Sequence, residues 1–276
     1  MNAVAIIPAR FGSTRFPGKP LAHATGKFLV QHVCECVAQA HSIGRCLVAT
    51  DDPRILDAVQ SFGGEAMMTS SDHASGTDRI AEVIRRLSEP VAPATLPALS
   101  EPDAQARKQP VADIVLNVQG DEPEIDPAYL DRLVAALASQ PDCPAATLAC
   151  PFPSDVDPRD PNCVKVVRNR LGRALYFSRA LIPYPRADVE ASDRSGWLLH
   201  LGVYAYRRAF LLEFAGWSPG ALERTERLEQ LRILENGYAM AVEVVERASV
   251  GIDTPEDYEK FVKRIAFGVE VAGREM

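Results

Sequence analysis

Three basic residues lie close together near the amino terminus, directly after the first apolar run. The segment reads IIPARFGSTRFPGKP from Ile6 to Pro20 and contains Arg10, Arg15 and Lys19. Three cations this close would repel one another unless an anion lay among them. Arginine forks match phosphate oxygens, lysine adds a compact charge, and a loop rich in glycine and serine offers backbone N–H donors. The segment therefore predicts a polyphosphate site, and a solvated basic loop is the alternative.

The loop differs from two common phosphate-binding motifs. It contains neither G-x-x-x-x-G-K-[ST] nor G-x-G-x-x-G. The missing dinucleotide fingerprint disfavours a dinucleotide-dependent oxidoreductase, for which a change in NADH absorbance would be the simple check.

Two aspartates follow apolar segments further along the chain. Asp121 comes after DIVLNVQG, and Asp253 comes after SVGI, which itself follows a predicted strand at Ala241–Val245. If both strands belong to one sheet, the two carboxylates can meet at its carboxyl edge. Because Mg²⁺ is usually held by one or two carboxylates together with phosphates and water, we expect Asp121 and Asp253 to bind this ion. A turn-forming Asp121 and a helix-capping Asp253 are the alternatives.

The elements that must position these residues alternate along the chain. Strands are predicted at Ala3–Ile7, Arg45–Thr50, Glu65–Thr69, Asp113–Val118, Ala145–Cys150, Cys163–Asn169, Ala174–Ser178, His200–Tyr206 and Ala241–Val245. Helices are predicted at Leu29–Ala40, Pro53–Phe62, Thr77–Leu87, Pro127–Ser139, Ala209–Phe214, Arg224–Glu235 and Pro255–Phe267. Aliphatic strands that alternate with helices predict an α/β fold, with a mainly parallel twisted sheet and helices on both faces. Ligands bind such sheets at the carboxyl ends of the strands.

The length of 276 residues allows one large α/β domain or two small ones, and we expect a single domain over 1–276. Residues Ser88 to Pro110 are rich in proline and alanine and lack periodicity, which predicts a flexible surface insertion; a catalytic lid is the alternative.

Composition narrows the possible partners. A net charge of −7 argues against bulk binding to nucleic acid or to an anionic membrane. Six cysteines without a C-x-x-C pair are typical of reduced thiols. With no long apolar run, the expected location is the cytoplasm.

The basic loop belongs to a longer set of motifs. P-A-R-x-x-S-T-R-x-P-x-K-P is followed by VATDDPRI (Val48–Ile55), DHASGTDR (Asp72–Arg79), NVQGDEP (Asn117–Pro123), ALYFSRALIP (Ala174–Pro183), HLGVYAYR (His200–Arg207), ERLEQLRIL (Glu226–Leu234) and GIDTPEDY (Gly251–Tyr258). Together these motifs resemble the signature of the 3-deoxy-manno-octulosonate cytidylyltransferases, the CMP-Kdo synthetases, over nearly the whole chain. The resemblance implies a Rossmann-like sheet of the nucleotide-diphospho-sugar transferase type.

The resemblance also implies a nucleotide site. Its candidate residues are Ala9, Arg10, Ser13, Arg15, Lys19, Ser75, Gly76, Thr77 and Gln119, with Arg10, Lys19 and Asp121 as the catalytic ones. Independently, the N–H groups at the start of the helix after DHASG suit an anion or the edge of a pyrimidine. A simple N-cap at Thr77 is the alternative reading.

An acidic sugar needs a cation for its carboxylate and polar groups for its hydroxyls. Candidates are Arg179, His200, Tyr204, Glu226, Glu229 and Gln230. His200 and Tyr204 are four apart in a predicted strand and so face the same side, and the last three have helical spacings of three and four. A surface arginine, a core-edge aromatic pair and a solvated helix face are the alternatives. Apolar neighbours of Arg179 would strengthen a charge-assisted contact, and for the other residues the resemblance favours sugar binding.

The resemblance implies transfer of CMP from CTP to 3-deoxy-manno-octulosonate (Kdo), with Mg²⁺. The products would be CMP-Kdo and pyrophosphate, and the activated sugar would serve lipopolysaccharide synthesis. A homodimer is also implied, with a protruding arm between Pro151 and Trp197 as the contact. Other sugars, either sialic acid or an amino-sugar variant of Kdo, stay open. A regulatory nucleotide binder without turnover is disfavoured because both aspartates and all three loop cations are present.

Overall fold

The computed structural model describes residues 3–12, 15–89, 112–186 and 196–267. The strands are β1 (Ala3–Ala9), β2 (Ile43–Thr50), β3 (Glu65–Met68), β4 (Ile114–Asn117), β5 (Ala145–Pro151), β6 (Lys165–Arg168), β7 (Ala174–Ser178), β8 (Leu198–Arg207) and β9 (Met240–Val244). The α-helices are α1 (Leu29–Val37), α2 (Pro53–Ser61), α3 (Gly76–Ser88), α4 (Pro127–Ser139), α5 (Arg208–Phe214), α6 (Ala221–Glu226), α7 (Leu231–Glu235) and α8 (Pro255–Ala266), and a 3₁₀ turn spans Lys19–Leu21.

The described strands form one mixed sheet in the order β3-β2-β1-β4-β8-β5-β9. Strands β3, β2, β1 and β4 are parallel, and β9 is parallel to β5. Strand β8 is antiparallel to β4 and β5, and the β6–β7 hairpin pairs with it at one end. The predicted α/β fold with a mainly parallel sheet is confirmed, and β8 with the hairpin makes the sheet mixed.

Helices cover both faces of the sheet, as predicted. In β1, Ala5 and Ile7 pack with apolar residues of α1, α2 and α4. The intervening Val4 and Ile6 pack with residues of α3, α5 and α7 on the opposite face. This alternation follows from the two-residue period of a strand, and it explains why β1 is apolar at nearly every position.

One predicted helix was wrong. The segment Arg224–Glu235 forms two short helices, α6 and α7, because Arg227 adopts a left-handed conformation with φ 53° and ends α6. The helical spacing assumed for Glu226, Glu229 and Gln230 therefore does not exist, since only Glu226 lies within a helix.

The start of α3 also differs from the prediction. Ser75, and not Thr77, is the N-cap, because its hydroxyl accepts a hydrogen bond from the Asp78 N–H while the Asp78 carboxylate accepts one from the Ser75 N–H. This reciprocal capping starts the helix at Gly76.

Most of the predicted insertion lies outside the described residues. Of Ser88 to Pro110, only Ser88 and Glu89 are described; Ser88 ends α3 and Glu89 is its C-cap.

All six cysteines are free thiols. Within the described ranges, every helix is too short or too polar to span a bilayer.

Candidate active site

The carboxyl ends of β1 and β4 lie side by side where the sheet order changes direction. Strands β2 and β3 follow β1 on one side of it, and β4 pairs with β1 on the other side. A Cβ at Gly120 would lie 3.3 Å from the Pro8 carbonyl oxygen, so the loops after these two strands are in close contact. Ligands of open α/β sheets bind at such a switch point.

A pocket of about 210 Å³ opens at this point. Its walls are Pro8, Ala9, Arg10, His73, Ala74, Ser75, Gly76, Arg79 and Gln119. Five residues predicted to bind nucleotide, namely Ala9, Arg10, Ser75, Gly76 and Gln119, therefore meet in one cavity. Arg10 is exposed and has no ion-pair partner among the described residues. Ser13, another predicted nucleotide residue, lies outside them.

Gln119 is held against a kink in β8. Its Nε2 donates to the Gly202 carbonyl oxygen at 3.2 Å. Gly202 has φ 65°, and the β5–β8 register shifts between Thr147 and Ala149 opposite it. This bulge needs glycine, since other residues rarely adopt positive φ. A backbone irregularity in β8 therefore fixes the amide that lines the pocket.

Thr77 does not line the pocket. It is 2% exposed, and its hydroxyl donates to the Glu229 carboxylate at 2.5 Å. The nucleotide segment of α3 is therefore joined directly to a residue predicted to bind the sugar.

Two of the pocket residues that were not predicted have polar side chains, His73 and Arg79. His73 Nε2 forms a short hydrogen bond with the Glu82 carboxylate. Arg79 is 4% exposed and donates to Asp51 at 2.9 Å and to Thr69. Both belong to the DHASGTDR motif, so their presence in that motif was the available signal.

Lys19 brings the two predicted metal ligands together. Its Nζ lies 2.7 Å from Asp121 Oδ2 and 3.7 Å from Asp253 Oδ1, and it donates to the Ile252 carbonyl at 2.8 Å. Arg15 Nη2 contacts the same Asp253 oxygen at 3.0 Å. Two acids and two loop cations, distant in sequence, thus form one charged cluster.

Asp121 and Asp253 converge after two strands of one sheet, as expected, although these strands are not neighbours. Strand β9 belongs to the same sheet as β4, but β8 and β5 lie between them. The segment after β9 instead crosses back over the sheet edge, where the Ile252 N–H donates to the Asp121 carbonyl at 2.9 Å. A backbone hydrogen bond, and not strand adjacency, sets the position of Asp253.

Glu122, next to Asp121, is a partly buried carboxyl that sequence reasoning also missed. Burial raises its pKa to about 7, and the negative charges of Asp121 and Asp253 add to this effect. The Ser249 hydroxyl donates to it and opposes the rise. The acidic cluster therefore extends beyond the two predicted aspartates.

The donor chemistry of the cluster fits Mg²⁺. Asp121 and Asp253 present hard carboxylate oxygens, of the kind that hold Mg²⁺ together with substrate phosphates and water. Within the ranges that the structure describes, no set of three His, Cys, Asp or Glu side chains is arranged to hold a metal. Two protein ligands suit an ion that takes its other ligands from a nucleotide. Metal binding by Asp121 and Asp253 stays a prediction, and their carboxylate oxygens are suitable donors.

His200 and Tyr204 do face the same side, with ring centroids 5.5 Å apart. The Thr147 hydroxyl donates to the Val203 carbonyl, so its 2.9 Å contact with His200 Nε2 requires the imidazole to donate. Burial lowers the pKa of His200 to about 3 and raises that of Tyr204 above its usual value. The pair is therefore a neutral imidazole beside a neutral phenol.

Arg179 and Glu226 are already engaged with protein groups. The guanidinium of Arg179 donates to the Glu226 carbonyl at 2.8 Å and to the Pro161 carbonyl at 2.9 Å. The carboxylate of Glu226 accepts from the Ser178 hydroxyl and the Arg179 N–H. Both residues brace the end of β7 against α6, and their contact with sugar stays a prediction.

Glu229 and Gln230 behave differently. The Glu229 Oε1 and the Gln230 Nε2 are both shielded from solvent, and neither has a hydrogen-bond partner among the described residues. Gln230 is only 4% exposed. Because buried polar atoms without partners are costly, such atoms mark places where a ligand is expected to supply the missing bonds.

Comparison with known proteins identifies the family. Residues 4–246 match the family model described as Cytidylyltransferase. The 3-deoxy-manno-octulosonate cytidylyltransferase of Syntrophotalea carbinolica is 50% identical over 262 residues, which cover 93% of this chain and 96% of that protein. The enzyme of that name from Syntrophobacter fumaroxidans is 48% identical over 96% of this chain and 98% of its own length. The chain therefore belongs to the cytidylyltransferase family, in the group of the 3-deoxy-manno-octulosonate cytidylyltransferases.

Solved structures agree with this assignment. CMP:2-keto-3-deoxy-manno-octonic acid synthetase complexed with CTP has a TM-score of 0.83 to this chain at 39% identity, and the match covers 98% of this chain and 100% of that one. A cytidylyltransferase from Leptospira borgpetersenii has a TM-score of 0.58 at 16% identity over 96% of this chain and 87% of that one, which shows a shared fold. The fold, the family and the enzyme class predicted from the sequence are confirmed.

Proposed function

We propose that this chain transfers CMP from CTP to Kdo, giving CMP-Kdo and pyrophosphate, with Mg²⁺ as the required metal. Cytidylyl transfer is the activity of the family to which the chain belongs, and the product would be an activated sugar for lipopolysaccharide synthesis. One observation carries the proposal. At the switch point, Lys19 of the loop after β1 contacts Asp121, at the end of β4, and Asp253, and a pocket opens beside them.

The triphosphate is assigned to Arg10, Arg15 and Lys19. These three cations offset the charge of the triphosphate and steady the charge that grows on pyrophosphate as it leaves. Arg10 already lines the pocket, and Arg15 and Lys19 already lie in the charged cluster. This transfer needs alignment and charge neutralisation more than covalent chemistry, and cations at these three positions contribute to both.

The metal is assigned to Asp121 and Asp253. When bound, Mg²⁺ would neutralise phosphate charge and favour ionisation of the attacking hydroxyl. The side chains of Arg15 and Lys19 neutralise the same two carboxylates and keep them close together.

The cytidine is assigned to the pocket at the start of α3. Asp78 caps the helix and places a carboxylate beside Ser75, and this charge disfavours a phosphate there. A neutral pyrimidine or ribose is the better guest, with the Gln119 amide able to hydrogen-bond to its edge. The triphosphate would then extend from this pocket toward Arg10.

The sugar is assigned to the side of the site that carries Glu229 and Gln230. The Glu229 Oε1 is an acceptor and the Gln230 Nε2 is a donor, neither with a hydrogen-bond partner among the described residues, and together they complement sugar hydroxyls. His200 and Tyr204 add neutral polar groups, and Arg179 is assigned to the sugar carboxylate. Attack by the anomeric hydroxyl on the α-phosphorus would complete the reaction.

A homodimer that works in the cytoplasm remains part of the proposal. The predicted arm includes the β6–β7 hairpin, where Leu171 is 68% exposed and Leu175 is 59% exposed. Tyr184, further along the arm, is 80% exposed. Apolar side chains this exposed and this close together in sequence support a contact between subunits.

The test is pyrophosphate release from the purified chain with CTP, Mg²⁺ and Kdo, each left out in turn. Release should require all three. A parallel panel should replace Kdo by its amino-sugar variant and by sialic acid, and Kdo should give the highest kcat/KM. The proposal would be wrong if release occurred without a sugar, or if another acidic sugar were the better substrate.

A further inference from the structure

The link between Thr77 and Glu229 suggests a role for Thr77 different from nucleotide contact. Thr77 follows Gly76, which lines the nucleotide pocket, but its own side chain is turned inward and is 2% exposed. Its hydroxyl donates to Glu229 Oε2 at 2.5 Å across 152 positions of sequence. The hydroxyl that could have met a nucleotide is therefore used by a carboxylate of the sugar side.

The Thr77 hydroxyl holds Glu229 Oε2, and the neighbouring Ser75 hydroxyl also interacts with this carboxylate. Glu229 lies in the turn between α6 and α7, where its backbone carbonyl accepts from the Arg232 N–H at 3.0 Å, so its side chain is oriented by side-chain contacts. Arg232 Nη2 is 3.6 Å from its Oε1, which is an ion pair but too long for a hydrogen bond. With Oε2 fixed by Thr77, Oε1 is left as an acceptor that has no hydrogen-bond partner among the described residues.

The surroundings of Thr77 are buried and hydrogen-bonded. Tyr206, 1% exposed, faces the Thr77 hydroxyl and stacks on Tyr204 with ring centroids 5.9 Å apart. The first turn of α3 is fixed by the Ser75–Asp78 capping. A hydroxyl held from two sides in this way can transmit the position of α3 to the carboxylate that it binds.

We propose that Thr77 is a positioning residue that orients Glu229 toward the sugar and so couples the sugar site to the nucleotide-binding end of α3. The proposal rests on the function proposed above. It assigns Thr77 to the sugar side, although Thr77 belongs to the segment predicted to bind nucleotide. Nucleotide contacts with the start of α3 would then also help to hold Glu229 in place, and loss of the Thr77 hydroxyl would remove this effect.

The test compares Thr77→Val, which keeps the shape and removes the donor, with Thr77→Ser, which keeps the donor. Thr77→Val should raise the KM for Kdo about tenfold, as expected when a hydrogen bond to a charged group is lost, and should change the KM for CTP less than about twofold. Thr77→Ser should recover most of the wild-type kcat/KM. Thr225→Val, at an exposed threonine whose hydroxyl bonds within its own helix, is the matched control and should behave as wild type.

A double-mutant cycle gives a readout that a merely structural role would not change. In a Glu229→Ala background, which removes the acceptor, Thr77→Val should have little further effect on the KM for Kdo, because the two changes remove one interaction. The proposal is overturned if the two effects simply multiply, if Thr77→Val raises mainly the KM for CTP, or if it leaves both KM values unchanged. Failure of the proposed function would look different, since the wild-type chain would then release no pyrophosphate with CTP and Kdo.

Discussion

Lys19 Nζ lies 2.7 Å from Asp121 Oδ2, and this contact joins the loop after β1 to the end of β4. The lysine is only 13% exposed, and its other contacts reach Asp253 and the Ile252 carbonyl. One ammonium therefore holds together the two carboxylates assigned to the metal. This arrangement explains why the acids can lie close together without mutual repulsion before substrate binds.

Replacing Lys19 by alanine should therefore strongly impair catalysis. We expect Lys19→Ala to lower kcat on the order of 10²–10³-fold, the size typical of losing one preorganised charge. The melting temperature should fall little by comparison. Lys27→Ala is the matched control, since Lys27 pairs with Glu35 on the surface. A Lys19→Ala enzyme with wild-type turnover would contradict the assignment.

The two aspartates should be needed for the response to metal. Asp121→Asn and Asp253→Asn each remove a charged oxygen ligand, so both should raise the Mg²⁺ concentration that gives half-maximal pyrophosphate release. Chelation with EDTA should stop the wild-type reaction, and added Mg²⁺ should restore it. Asp142→Asn, at a side chain that is 76% exposed, should leave the Mg²⁺ titration unchanged. If the Asp121 and Asp253 variants also titrate as wild type, the metal lies elsewhere.

A small change at Gly76 should affect nucleotide binding specifically. A Cβ at this position would lie 3.2 Å from Pro8 Cγ, closer than ordinary contact, so Gly76→Ala must shift the wall of the pocket. We expect the KM for CTP to rise severalfold with little change in the KM for Kdo. At Gly196 a Cβ would meet nothing within 4 Å, so Gly196→Ala is the control. An equal rise in both KM values would argue against a pocket that binds only the nucleotide.

His200 should make the fold less stable in mild acid. The folded protein keeps His200 neutral down to a pKa of about 3, whereas the unfolded chain takes up a proton near the ordinary pKa of about 6.5. As pH falls from about 6.5 toward 3, the unfolded state binds the proton first. The free energy of unfolding should therefore fall, by up to about 1.4 kcal/mol per pH unit from this group.

Denaturant unfolding at several pH values between 7 and 5 tests the effect of His200. The His200→Gln variant has no proton to take up, so its free energy of unfolding should fall less steeply with decreasing pH than that of the wild type. His41→Gln, at an exposed histidine, should follow the wild-type slope. Parallel curves for wild type and His200→Gln would show that His200 is not held neutral.

The sequence predicted much of this fold because strand and helix periods were clear. The helix Pro127–Ser139 and the strand Ala174–Ser178 have the predicted bounds. The failures were local. A left-handed Arg227 divides a predicted helix, and nothing in its residue type announces that conformation, since glycine and asparagine are the usual residues there.

The residues of the candidate site could largely be predicted from the sequence, but the contacts between them could not. Arg10 and Gln119 could be proposed because they follow strands, and the structure brings both to one pocket. The convergence of Asp253 could not be derived from strand order, because a long-range backbone hydrogen bond produces it. The bond from Thr77 to Glu229 joins two elements distant in sequence, and no periodicity could have indicated it.

The central claim is that the cationic loop and the two aspartates meet around one metal-bound triphosphate. A crystal structure of this chain with CTP and Mg²⁺ tests it most directly. We expect oxygens of Asp121 and Asp253 at about 2.1 Å from one Mg²⁺, the triphosphate in contact with Arg10, Arg15 and Lys19, and the cytosine in the pocket at the start of α3. A nucleotide bound away from that pocket, or a Mg²⁺ without either aspartate as a ligand, would contradict the claim.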